Sequence, residues 1–181
     1  SDIIACLNES SKAFDMPEGR YDWEVRQPAH HYVDGWDLAK QRDWTVGITL
    51  DVTNRPWRLV GFERFQRLPW QAVYQRIRDR HERYGSETLI DSTGIGDVVL
   101  DELKDIAKGQ KFTSRDKIDM IINLQKAIES HSLAMPFIKQ LVFELQTYSW
   151  EDEALVTDCV MALALACWQA SKGPRWTLKL V

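Results

Sequence analysis

Three aspartates stand where apolar segments end or begin, and they are the first candidates for chemistry. Asp37 closes a strand pattern that starts near His31, Asp91 closes a second one after Leu89-Ile90, and Asp158 lies in the first buried turns of a long apolar helix. A carboxylate at the end of a buried strand is either a turn-capping residue or a ligand for a cation, because desolvating it otherwise costs several kcal/mol. Asp158 has a further reason to be a ligand: Glu151, Asp152 and Glu153 already complement the helix dipole nearer the start. Asp34 stands nearby as a rival to Asp37. Clustered acids raise one another's pKa unless cations sit between them. Hard divalent ions that take oxygen ligands, with phosphate completing the shell, satisfy such a cluster.

The elements must bring these acids together, because they lie far apart in the chain. Residues 31–38, 44–52 and 57–65 alternate as strands and read as an antiparallel meander. Residues 85–91 give a fourth strand, 98–107 a helix, and 111–113 a brief fifth strand. A helix follows from about Ser114, its candidate N-cap, to Ser130; residues 133–135 read as an edge strand stopped by Pro136. Two more helices cover about 137–147 and 153–170, the last apolar nearly all round and therefore buried against the sheet. In a β-β-β-α-β-α order the first and fourth strands become central neighbours, with Asp37 and Asp91 side by side at their ends.

From Pro69 the period turns helical, with Val73, Ile77 and Tyr84 on one side and Arg76, Arg80 and Arg83 on another. The arginines either track a phosphate backbone or form a solvated face, since Asp79 and Glu82 are interleaved. Lys117, opening a helix after a strand, is placed to hold a phosphate or assist proton transfer, and equally reads as a solvated first-turn lysine. Other chemistries fit poorly. Gly94-Ile-Gly96 lacks the third glycine of a dinucleotide fingerprint, and no Gly-Lys-Ser/Thr sequence exists for a P-loop. His30, His31, His81 and His131 show no zinc spacing, and Ser92 and Ser114 have no visible base partner.

A chain of 181 residues, 44% hydrophobic, suits one compact domain. Its net charge of −4 is opposite in sign to that of most nucleic-acid binders. A carboxylate site that meets phosphate through metal ions is compatible with that sign. No apolar segment approaches the roughly 20 residues needed to span a bilayer. Cys6, Cys159 and Cys167 form no CxxC pair and read as small apolar residues of a reducing compartment. Residues 1–29 are polar and turn-rich, expected as a linker or loosely packed arm. The chain opens at Ser1 without a charged, apolar leader, so no signal peptide is expected, and the missing initiator Met points to a piece of something longer.

Four segments carry a family resemblance: Gly35-Trp-Asp-Leu-Ala-Lys-Gln-Arg-Asp-Trp-Thr45, Leu89-Ile-Asp-Ser-Thr-Gly-Ile-Gly-Asp97, Phe112-Thr-Ser-Arg-Asp-Lys117 and Thr157-Asp-Cys-Val-Met-Ala-Leu-Ala-Leu-Ala166. In that order, over about residues 30–170, the sequence resembles the nuclease domain of the large terminase subunit of tailed bacteriophages. The resemblance implies a ribonuclease H-like α/β fold, a mixed five-stranded sheet flanked by helices on both faces. It implies metal-dependent cleavage of double-stranded concatemeric DNA during genome packaging. Asp37 would be shared by two Mg²⁺ or Mn²⁺ ions, with Asp91 and Asp158 as the other ligands. Thr157 stands where the family often has a second acid or a His, and Asp43 matches a recurrent acid that is either supporting or structural. Residues 1–29 would be the remnant of a connection to an N-terminal ATPase domain, and 30–181 the nuclease domain. Portal protein and small terminase subunit are the implied partners, in the host cytoplasm and not in the mature virion. Two rival readings are another ribonuclease H-like phosphotransferase of resolvase or transposase type, and a non-catalytic scaffold that binds DNA or portal.

Overall fold

Apolar residues at alternate positions build a sheet that is buried on both faces, and this is the platform for the three acids. The computed structural model describes residues 2–38, 43–95, 97–149 and 156–173. The first part of the chain forms α1 (Asp2–Ala5), β1 (Gly19–Asp22), β2 (Tyr32–Asp37), β3 (Thr45–Asp51) and β4 (Trp57–Phe65). Then come α2 (Trp70–Tyr84), β5 (Glu87–Asp91), α3 (Asp97–Leu103) and β6 (Ala107–Gln110). The chain continues through α4 (Ser114–Glu129), β7 (Leu133–Ala134), α5 (Lys139–Thr147) and α6 (Asp158–Ser171).

The strands run in the order β1-β4-β3-β2-β5-β6, with β7 also paired to β4. The expected meander is β2, β3 and β4, antiparallel throughout. β5 joins β2 in parallel, in a register that ends with Trp36 opposite Ile90. Asp37 and Asp91 are therefore the next residues on two adjacent central strands, as the β-β-β-α-β-α order requires. The fifth strand of the core, β6, pairs in parallel with β5 over residues 107–110, earlier than the expected 111–113. Helix α3 correspondingly stops at Leu103, because the open edge of β5 takes up the backbone groups of the next segment. Two further strands, β1 and β7, cover the outer edge of β4.

One layer of helices, α4, α5 and α6, packs on the face formed by Val33, Ile48, Leu50 and Leu89. The other, α2 and α3, covers Trp36, Phe65 and Ile90. Strand alternation assigns the neighbours of Asp37 to these layers: Gly35 shares its face and Asp34 and Trp36 take the opposite one. Gly35 matters for the close approach of helix to sheet. A Cβ there would stand 2.3 Å from the Ala162 carbonyl oxygen and 2.4 Å from the Ala166 nitrogen. Helix α6 thus lies backbone to backbone on β2, with alanines where larger side chains would lift it away.

Three sequence expectations are corrected here. The N-cap of α4 is Thr113, whose hydroxyl accepts from the Asp116 N–H while the Asp116 carboxylate accepts from the Thr113 N–H, a capping box one residue before Ser114. Residues 2–29 are not loosely packed: Cys6 and Phe14 are buried in the core, and β1 extends the sheet. Arg80 is not on a solvated or DNA-facing stripe. It falls at the spacing of Val73, Ile77 and Tyr84 and shares their burial. Its guanidinium bonds Glu63 at 2.9 Å and Thr49 at 3.0 Å, and pairs with Asp22 at 3.4 Å. Gly61 makes room for it, since a Cβ there would lie 2.3 Å from Arg80 Nη1. Arg76 and Arg83 are partly exposed but engaged, with Glu63 at 3.2 Å and Asp22 at 3.4 Å.

Candidate active site

The three sequence-predicted acids meet in one cavity. It measures about 150 Å³ and is lined by Asp37, Leu38, Asp43, Asp91, Thr93, Lys117 and Asp158. Asp37 arrives on the central strand, Asp91 on its parallel neighbour, and Asp158 as the first residue of α6, which Gly35 lets settle on the same face. The lining is rich in oxygen donors and contains one cationic side chain.

Each acid is held by a different device. The Asp91 carboxylate accepts the Thr93 N–H at 2.8 Å, closing a tight turn at the strand end, and pairs with Lys117 Nζ at 3.3 Å. Thr93 Oγ1 in turn accepts the Phe112 N–H at 3.0 Å, which ties that turn to the start of α4 and so delivers Lys117. Asp158 Oδ2 accepts the Trp44 N–H at 3.3 Å, linking α6 to the chain just before β3. The Trp44 ring is covered by the Arg64 guanidinium at 3.6 Å, and Arg64 also donates to the Pro17 carbonyl. Asp37 has Asp43, an exposed residue, across the same cavity.

Electrostatics identify what the cavity lacks. Burial, then the charges of Asp158 and Asp91, push the Asp37 carboxyl well above the usual range, and Lys117 opposes them only in part. Burial, followed by the nearby Glu144 charge, raises Asp158 to about 6, against the Trp44 N–H and Arg64. Mutually repelling carboxylates of this kind fit hard divalent cations, which take oxygen ligands and remove the repulsion. Among the described residues no three His, Cys, Asp or Glu side chains converge tightly enough to enclose one ion. The acids therefore line a shared cavity and do not form a closed cage.

The remaining candidates separate clearly. Asp34, on the opposite face, is fully buried, accepts from Thr49 Oγ1 at 2.6 Å, from Ser86 Oγ and from Thr88 Oγ1 at 3.3 Å, and takes no part in the site. Thr157 is the N-cap residue of α6 without a side-chain capping bond. Glu151, Asp152 and Glu153 lie outside the described residues. Arg83 stands at the far end of α2, next to Tyr84, which packs on Tyr32 at the opposite end of β2 from Asp37. Sequence reasoning missed Glu144, a buried acid on α5 beside the start of α6. Its signal was an acid three residues after Leu141 and one before Leu145, inside an apolar stripe.

No protein-family model matches the sequence, and no curated protein matches it. Solved structures do. The large terminase nuclease of thermophilic phage G20c with bound magnesium superposes with a TM-score of 0.75 at 26% identity, covering 87% of this chain and 93% of that one. The chain is a structural relative of phage large-terminase nucleases. The same G20c nuclease has also been solved with zinc and with cobalt, the cobalt form at a TM-score of 0.80. The nuclease domain of Thermus phage P74-26 large terminase shares the fold at a TM-score of 0.74, with 92% of each chain covered. The large terminase of another thermophilic bacteriophage matches over 90% of this chain but only 43% of its own length, at a TM-score of 0.62 and 13% identity. The terminase-nuclease fold thus occurs both as a separately solved domain and as part of a longer chain.

Proposed function

We propose that this chain is a divalent-metal-dependent endonuclease that cleaves double-stranded concatemeric viral DNA during genome packaging. The observation that carries the reading is the convergence of Asp37, Asp91 and Asp158 on one cavity with Lys117 at its edge. Two Mg²⁺ or Mn²⁺ ions held there would make a nucleophile of water near neutral pH and stabilise the leaving 3′ oxygen. Asp37, central in the sheet, would be the carboxylate common to both sites, with Asp91 and Asp158 supplying ligands from either side. Lys117 neutralises Asp91 in the present arrangement and is placed to hold a phosphate oxygen or move a proton once that carboxylate is engaged. No protein nucleophile is required.

DNA would approach the end of the sheet where β2, β4 and β5 terminate. Arg67 follows the last residue of β4, Phe65, which pairs with Thr45 next to the Trp44 anchor. Arg115 opens α4 two residues before Lys117. Both side chains are exposed and form no ion pair among the described residues. They replace Arg80 as candidates for phosphate contact. An ATPase domain on the same full-length chain, portal protein, small terminase subunit and the host cytoplasm complete the reading as its expected setting. No described helix is long and apolar enough to cross a membrane.

The test is nicking and linearisation of supercoiled plasmid with Mg²⁺, Mn²⁺ or EDTA, comparing the unaltered chain with D37N, D91N and D158N. Cleavage that needs metal and falls by at least 100-fold in each variant is expected. Cleavage that persists in EDTA, or in all three variants, would overturn the reading.

A further inference from the structure

Helix α6 is capped from a neighbouring helix. Its N-cap residue Thr157 makes no side-chain capping bond, so the first N–H groups must find partners elsewhere. They find them on α5. Glu144 Oε2 accepts the Cys159 N–H at 2.8 Å and the Val160 N–H at 3.1 Å. Its other oxygen, Oε1, accepts from Gln140 Nε2 at 3.0 Å, and the residue is only 1% exposed. Both oxygens are thereby engaged, and Glu144 does not line the cavity. Its bonds fix the backbone immediately after Asp158.

We propose that Glu144 is a positioning residue: a cap supplied from α5 that sets where α6 begins and so holds Asp158 opposite Asp37. An acid at the first position of a helix can itself serve the free N–H groups of the first turn. With Glu144 occupying two of them, the Asp158 carboxylate is left to the cavity and to its one hydrogen-bonding anchor among the described residues, the Trp44 N–H. The inference rests on the reading of Asp158 as a metal ligand. Groups that orient a ligand from outside are typically worth 10- to 100-fold in metal affinity.

Mn²⁺ binding, followed by the spectroscopic signal of the free ion, tests this without relying on cleavage, alongside thermal melting of each variant. E144Q keeps an oxygen on both N–H groups once the Gln140 amide turns, and its affinity is expected within about threefold of the unaltered chain. E144A, and E144D whose shorter arm withdraws the oxygen, are expected to bind at least tenfold more weakly while still melting cooperatively. E144A that melts earlier but binds Mn²⁺ normally would overturn the proposal, leaving Glu144 a purely structural cap. Weak binding by E144Q with normal binding by E144D would also overturn it, assigning the effect to charge. Should E144A not fold, the E144Q and E144D pair still decides. D158N is run in parallel: if it too binds Mn²⁺ normally, the ligand reading of Asp158 falls, whereas a weak D158N with normal Glu144 variants sinks this inference alone.

Discussion

Arg80 shows how a single residue changes role with its partners. The guanidinium is buried between Glu63, Thr49 and Asp22 while its neighbour Arg76 lies over the Phe65 ring at 4.8 Å. A buried pair of this kind is weak evidence for net stability, but removing one member leaves an uncompensated charge. R80A is expected to cost about 3 to 5 kcal/mol in urea unfolding. An R80M/E63M double variant should recover a large part of that loss, because both charges leave the interior together. Full additivity of the two single losses in the double variant would show that the pair does not act as a unit.

At the scale of elements, the site depends on how closely α6 approaches β2. The small faces of Ala162 and Ala166 meet Gly35, and that contact fixes the height of Asp158 above the sheet. G35A inserts a methyl group where no space exists, and overpacking of this kind typically costs about 1 to 3 kcal/mol, occasionally more. The loss of Mn²⁺ affinity measured well below the melting temperature should exceed that of a control of equal destabilisation placed in the α2 layer, such as V73A. Equal affinity in the two variants would mean that α6 can shift without moving Asp158. The element boundary also matters: α6 begins at Asp158 itself, so its first turn, with the cap from Glu144, belongs to the site.

For the whole molecule, a net charge of −4 must be reconciled with a DNA substrate. The basic groups proposed to meet DNA at the acidic end of the sheet are Arg67, two residues past β4, and Arg115, in the first turn of α4. Each phosphate contact contributes roughly 0.9 to the slope of log affinity against log salt for duplex DNA. R67A and R115A should each flatten that slope by about 1, measured by fluorescence anisotropy with a short duplex in Mg²⁺-free buffer. R83A, at the far end of α2, should leave it unchanged. An effect of R83A equal to that of R67A would move the DNA path to the α2 face. Weak binding by the isolated chain is compatible with function if a linked motor raises the local DNA concentration.

From residue 31 onward the order of strands and helices, and the placing of Asp37 and Asp91 at strand ends, were legible in the sequence, because alternation and helical periodicity are local properties of the chain. Strand alternation also separates Asp37 from Asp34, but only the tertiary structure showed that α6 and the cavity lie on the face of Asp37. Local pattern also misplaced β6 and the start of α6 by several residues, where the competition between helix and strand was decided by the open edge of β5 and by bonds from α5. The roles of Arg80 and Glu144 belonged to the tertiary structure alone. Both are charged residues in apolar stripes, and a stripe says that a side chain is buried but not which partner meets it. Only the packing of α2 on Gly61 and of α5 on the first turn of α6 decided that one supports the core and the other the candidate site.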